Sequence, residues 1–214
     1  MATLAPRFLV LSLGNKEPYY QTLHSAGHFA LASLQRHLGP SHQSPFKRDK
    51  QDRALRSDGS AYVLKQSPTS MNVSGPWVNK ACKQHLAEEK EQQQPGSAST
   101  LGLGLVVVAD DLEESFGTVK IRKWTASHRG HNGLKSINAS VKPGAYPVGT
   151  RMHRISIGIG RPMDRDQRTV SDYVLSPMSA GQLAIIDRDV GPRLLECLET
   201  LRVAWEADLA AKAA

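Results

Sequence analysis

The stretch LGLVVVADD, from Leu103 to Asp111, is an apolar run rich in β-branched residues that ends on two carboxylates. A strand with one wet face would alternate polar and apolar residues. This one does not, which predicts a strand covered on both faces, as in the middle of a parallel sheet. Two other runs share the character: FLVLSLGN, Phe8 to Asn15, and RISIGIGR, Arg154 to Arg161. Weaker strand patterns lie at Ala61 to Gln66 and at Gly117 to Trp124; in the second, Lys120 and Arg122 are two apart and so share a face. Helical patterns fall between these runs. Leu31, Leu34 and Leu38 repeat at helical spacing and stop at Gly39-Pro40. Ser74-Gly75-Pro76 starts a helix with Val78, Ala81, Cys82 and His85 on one face. Ser179 and Gln182 have capping-box spacing, and Leu194, Leu198, Leu201 and Trp205 form an apolar stripe after a break at Gly191-Pro192. The order β, α, β, α, β, β, α, β, α predicts an α/β fold. It is expected as a single-domain three-layer sandwich over residues 1–214, with a twisted, mixed, mostly parallel central sheet and helices on both faces. Gly39 to Ser60 and Glu88 to Thr100 read as polar surface loops, and about 179–214 as a C-terminal helical segment.

A chain of 214 residues with 40% apolar and 22% charged residues suits one globular core and excludes a disordered acidic chain. No apolar run approaches the ~18 residues that a membrane-spanning helix needs. Too few residues precede Phe8 for a secretory leader, so the encoded start is expected to be the mature one. The two cysteines, Cys82 and Cys197, read as reduced core thiols of a reducing compartment, which leaves the Asn-x-Ser triplets at Asn72 and Asn138 unglycosylated.

The formal charge is +7, and it is unevenly spread. From Gly117 to Val170 there are eleven Lys/Arg against two Asp, a local +9 on a slightly acidic body. Either this is an ordinary solvated surface, or it is a basic face for a polyanion.

Open α/β sheets place ligands at the carboxyl ends of their strands, where Asn15, Asp110 and Asp111 fall. Such an Asp either caps a turn or meets a donor at a site. His24 and His28, four apart, have metal-ligand spacing without the intervening Glu of the zinc proteases or a third ligand. A histidine paired with a carboxylate and used to activate water is the better use of these residues. In His128-Arg-Gly-His-Asn-Gly-Leu-Lys135, glycines flank His131 and Asn132; this is either a close-approach binding loop or a turn before a helix near Gly133. The Gly-x-Gly pairs at Gly102 and Gly158 lack the third glycine of a dinucleotide fingerprint.

Taken together, SLGN at 12–15, LHSAG around His24, TSMNVSG at 69–75, VVVADDLEESFG at 106–117, SHRGHNGLKSI at 127–137 and RISIGIGRP at 154–162 resemble the successive motifs of the bacterial-type peptidyl-tRNA hydrolase family, in the family's order, from Phe8 to about Leu175. The resemblance implies an esterase that cleaves peptide from the 3′-terminal ribose of tRNA. It implies His24 as general base, Asp110 as its carboxylate partner, and Asn15, Asn72 and Asn132 as amides that hold substrate and water. Met71 and His131 line the same pocket, and Lys120 and Arg122, with Arg129, Lys135 and Arg154, form the tRNA-binding set. No metal and no organic cofactor is implied; the partner is peptidyl-tRNA, with no membrane, and the protein is expected to be a monomer in the cytoplasm, with mitochondrial association open. The chain departs from the family pattern where Lys16-Glu17 replaces Pro-Gly, Ser25 an Asn, Thr125-Ala-Ser127 a Gly-rich run, and Ser156 a basic residue. The two long loops look like elaborations of a eukaryotic member. Two rivals stand beside this reading: a catalytically silent RNA-binding protein on the same fold, and a metal-dependent nuclease using His24, His28, Asp110 and Asp111.

Overall fold

A computed structural model describes residues 6–92 and 102–213. Seven strands make one sheet in the order β2-β3-β4-β1-β5-β7-β6: β1 Phe8–Ser12, β2 Lys47–Arg48, β3 Leu55–Asp58, β4 Tyr62–Gln66, β5 Gly104–Asp111, β6 Val119–Lys123 and β7 Arg151–Gly158. The four middle strands, β4, β1, β5 and β7, are parallel, and antiparallel strands flank them on both sides. The three apolar runs of the sequence are three of these four middle strands. Their alternate side chains enter two separate cores. Phe8, Val10, Val106, Val108, Ile155 and Ile157 pack on one face against helices α1 (Ala26–Leu38) and α6 (Gly191–Ala213). Leu9, Leu11, Leu105, Val107 and Ala109 pack on the other against α2 (Ser74–Gln92) and α3 (Asn132–Ser140). The C-terminal stripe read from the sequence is buried, and Trp205 meets Phe8 edge-on at 5.1 Å, a geometry worth about 1 kcal/mol beyond area burial.

Three expectations need correction. Gly39 to Ser60 is not a loop: it contains β2 and β3, which extend the sheet beside β4. What holds this hairpin is polar. Lys65, on β4 and almost fully buried, donates to Asp49 and Asp52 at 2.8 Å each; Asp52 also accepts from the Trp77 indole, and Arg56 reaches across to Glu88 on α2. The second loop is helical as far as Gln92; its remainder, 93–100, lies outside the described residues. Gly191-Pro192 does not break the C-terminal helical segment. After α5 (Ala180–Ile185), which starts at the expected Ser179–Gln182 capping box, the chain runs on through a π-turn, Ile186–Val190, straight into α6. A proline clashes with the carbonyl four residues back, and a widened turn there accommodates it without ending the helix. One further helix, α4 (Gln167–Val174), has no fully buried residue, but Tyr173 and Val174 pack half-buried against the first core.

His28, on α1, is fully buried; its Nδ1 sits 2.8 Å from Ser12 Oγ, and burial pushes its pKa down to about 4 from 6.5. An unfolded chain therefore takes up a proton on this residue below pH 6.5 that the folded protein refuses until about pH 4. Stability should fall across that window by roughly 3 kcal/mol. Urea midpoints at pH 7.5, 6 and 5 measure the slope; in His28→Asn it should flatten, and an unchanged slope would exclude His28 as its source.

Candidate active site

The carboxyl ends of β1 and β5 meet the start of α1. Gly27 makes the approach possible: a Cβ there would lie 2.7 Å from Leu13 O and 2.8 Å from Val108 O. With the helix start pressed onto the strand ends, the 3-10 turn Leu23–Ser25 hangs His24 over Asp110, the residue at which β5 leaves the apolar core. His24 Nδ1 lies 2.9 Å from both carboxylate oxygens of Asp110. The imidazole is nearly buried, yet its Nε2 has no hydrogen-bond partner among the described residues and faces a cleft of about 940 Å³.

Asp110 is buried and serves two histidines. His131 Nε2 is 3.0 Å from Oδ1, and the two rings stand 4.8 Å apart. His131 is also the N-cap of α3, its Nδ1 accepting from the backbone N–H groups of Gly133 and Leu134. An Nδ1 that accepts two hydrogen bonds carries no proton, so the neutral ring carries its hydrogen on Nε2 and donates it to Asp110. The helix start thus fixes the tautomer, and the tautomer fixes the carboxylate. His131 backs Asp110 as well as lining the cleft, where the resemblance implies contact with substrate.

The charges follow. Burial works to raise the Asp110 pKa, but the charge of His24 and the hydrogen bonds from both imidazoles outweigh it and hold the carboxyl well below the usual carboxylate range. Burial works against a charged His24, but the Asp110 charge and hydrogen bond outweigh it and raise the imidazole above its ordinary value. The result is a somewhat strengthened base over a permanent anion.

Around the imidazole the cleft is lined by Asn15, Asn72 and Asn132, whose side-chain amides make no hydrogen bond among the described residues, and by Met71. Gly133 brings α3 close to Met71: a Cβ there would lie 2.5 Å from the thioether sulfur. Asn15 is held by its backbone, its N–H donating to Ser25 Oγ at 2.9 Å, and Ser25 in turn donates to Tyr19 O at 3.2 Å. The fully buried Ser25 therefore ties the Asn15–Tyr19 loop to the turn that holds His24.

His24, Asp110 and His131 place one candidate ligand atom each within 4.8 Å of one another. With its Nε2 protonated and its Nδ1 lone pair taken by the α3 cap, His131 has no lone pair to give, so the cluster offers two ligands where a stable transition-metal site needs at least three. His28, the metal partner suggested by spacing, points into the core toward Ser12 and joins none of them.

The basic positions divide. Arg122 and Arg129 line the cleft; Lys120 and Lys135 are exposed outside it. Arg154 requires a correction. It is 3% exposed, donates to Ala126 O at 2.9 Å and to Asn138 Oδ1 at 2.5 Å, and stacks 5.2 Å from the Trp124 ring. It ties the β6–α3 connection to β7, and although it contributes to the cleft wall, two of its three nitrogens are committed to protein oxygens and little of it is open to phosphate. The +9 segment is also less open than its count suggests, because the carboxylates just before it fold back: Glu114 pairs with Lys120 and Arg122, Asp111 with Arg122 and Arg129, and Glu113 with Arg161. Ser156, where a basic residue is usual, accepts from Arg122 Nε. Sequence reading missed Tyr19, Ser25 and the α4 wall of the cleft, formed by Gln167, Val170, Ser171 and Val174. Only α4 had local signals, its Asp166 N-cap and the apolar stripe Val170, Tyr173 and Val174.

An α/β sheet that presents a carboxylate-backed imidazole at its strand ends, in an amide-lined cleft, defines a water-activating hydrolase. A family model described as peptidyl-tRNA hydrolase matches residues 9–212. The peptidyl-tRNA hydrolase of Geobacter metallireducens is 33% identical over 181 residues, covering 82% of this chain and 79% of that protein. That of Aliarcobacter butzleri is 31% identical over 199 residues, covering 92% and 93%. Among solved structures, the peptidyl-tRNA hydrolase of Acinetobacter baumannii superposes with a TM-score of 0.67 at 21% identity, covering 99% of this chain and 94% of that one, a likeness of fold. The chain belongs to the peptidyl-tRNA hydrolase family. No helix among the described residues is long and apolar enough to cross a membrane.

Proposed function

We propose that this protein hydrolyses the ester between a peptide and the 3′-terminal ribose of tRNA, with His24 as general base. The observation that supports it most directly is the His24–Asp110 pair with a free Nε2 facing the cleft. Water beside Nε2 gives up a proton as its oxygen bonds to the ester carbonyl carbon. Asp110 stabilises the imidazolium, and the proton then passes to the ribose oxygen as the carbon–oxygen bond breaks. General-base assistance of this kind is worth roughly 10²- to 10⁴-fold. A single amide donor aimed at the developing oxyanion adds roughly 10²- to 10³-fold, which suits Asn15, Asn72 and Asn132. Amides also bind peptide backbone whatever its side chains, so the peptide is held generically. Affinity for tRNA comes from Lys120, Arg122, Arg129 and Lys135 meeting phosphate. The enzyme acts as a monomer in a reducing compartment, where Cys82 and Cys197 stay unpaired. A silent RNA-binding protein would have no use for a buried carboxylate strengthening an imidazole that faces an open cleft.

The test is hydrolysis of an N-blocked aminoacyl-tRNA by the wild-type protein with and without EDTA. Turnover that chelator leaves unchanged is expected. No turnover would favour the silent RNA-binding reading, and loss in EDTA would overturn the metal-free mechanism.

A further inference from the structure

Glu114 lies on the turn after β5, with its backbone carbonyl held by the Gly160 N–H. Its side chain divides between two cations: Oε2 accepts from Lys120 Nζ at 2.7 Å, and Oε1 from Arg122 Nη2 at 2.5 Å. Lys120 and Arg122 are two apart on β6, so their head groups sit side by side on one face. A carboxylate that gives one oxygen to each of two adjacent cations makes the contacts that the two non-bridging oxygens of a phosphodiester would make there. The hydrogen bonds from Lys120 and then Arg122 lower the pKa of Glu114, so it remains an anion at neutral pH.

We infer that Glu114 stands in for a tRNA phosphate in the free enzyme, and that RNA must displace it to reach Lys120 and Arg122. This rests on the proposal that those two residues meet tRNA. Displacement requires motion of one side chain only, since the backbone stays anchored. Arg122 keeps its place meanwhile, because Ser156 Oγ accepts from its Nε at 3.1 Å and Asp111 accepts from its Nη2 at 3.3 Å. The consequence falls on substrate and product alike: peptidyl-tRNA and the deacylated tRNA left after hydrolysis carry the same phosphates. A carboxylate that competes for both weakens uniform binding, which raises KM and speeds release of the product. Glu114 is thus an affinity-setting residue outside the chemistry.

The experiment compares binding of deacylated tRNA, and KM and kcat on N-blocked aminoacyl-tRNA, in five proteins: wild type, Glu114→Gln, the double variant Lys120→Ala/Arg122→Ala, the triple combination, and Glu196→Gln. The last removes the same charge from an exposed position on α6. Loss of two competing ion pairs, one exposed and one part-buried, should tighten binding by about two- to tenfold in Glu114→Gln, with a matching fall in KM and no rise in kcat. Glu196→Gln should stay near wild type, and in the double-variant background Glu114→Gln should change nothing. If Glu114→Gln weakens tRNA binding or leaves it unchanged while Lys120→Ala/Arg122→Ala weakens it, Glu114 orients the cations instead and the inference alone is overturned. If Lys120→Ala/Arg122→Ala leaves binding untouched, the assignment of those cations to tRNA fails, and this inference with it.

Discussion

His24→Ala should lower hydrolysis of N-blocked aminoacyl-tRNA by roughly 10²- to 10⁴-fold while tRNA affinity stays within about twofold of wild type. The two readouts separate because His24 is nearly buried at the base of the cleft, whereas the cations assigned to tRNA lie on β6, in the 127–131 segment and on α3. Removing the imidazole also leaves Asp110 with only His131 as a donor, so a second variant guards against misfolding. His24→Gln keeps an amide near the ring position, and cannot act as a base. Both should fold and bind, as read by thermal melting and tRNA titration, and both should be inactive. Near-normal turnover in either would remove His24 from the chemistry, and the general-base mechanism with it.

What was legible in the sequence follows from where the stabilising contacts lie. Strands buried on both faces announce themselves by short runs dominated by apolar and β-branched residues, and β1, β5 and the second half of β7 were read on that basis. Helices α1 and α2 were read from stripes that the cores bury. The β2–β3 hairpin gave no such signal. Its strands are short and polar, and what fixes them are partners far along the chain, Lys65 to Asp49 and Arg56 to Glu88. No local window contains both ends of those pairs. The same limit applies to charge. Counting from Gly117 omitted Asp111, Glu113 and Glu114, which turn back onto the cations that follow them, so the basic face was overstated by the choice of where to begin. Arg154 looked like one more surface cation, because nothing local says that β7 carries it beneath Trp124. The site was legible as far as residue identity. His24 and Asp110 are 86 positions apart, and motif resemblance named both. It did not reveal that His131 fixes the carboxylate between them, since that depends on a helix cap visible only in three dimensions.

That cap makes Asp110→Asn a sharper test than removal of the charge alone. In the wild type the carboxylate accepts from both rings, His131 Nε2 and His24 Nδ1. Asparagine has one acceptor and one donor end. His131 cannot adjust, because its Nδ1 is committed to the Gly133 and Leu134 N–H groups, so its Nε2–H claims the asparagine oxygen. The amide NH₂ is then left facing His24 Nδ1, and it can donate only to an unprotonated nitrogen. His24 is driven to the tautomer with its hydrogen on Nε2, the atom that must accept the proton from water. The base is thereby blocked, so the loss should reach roughly 10³- to 10⁴-fold, the range for a general base presented in the wrong tautomer. Nitrogen-15 chemical shifts of the histidine rings report this directly: His24 protonated on Nδ1 in the wild type and on Nε2 in Asp110→Asn. The pH profile adds an independent sign. Wild-type His24 is raised above 6.5 by Asp110, so the acid limb of kcat/KM should lie above that pH, activity climbing as the ring loses its proton. Without the anion, burial alone acts on the ring and favours its neutral form, so the limb of whatever activity remains should move to lower pH. An Asp110→Asn variant with full activity, or with an unshifted acid limb, would mean that the carboxylate neither orients nor strengthens the base.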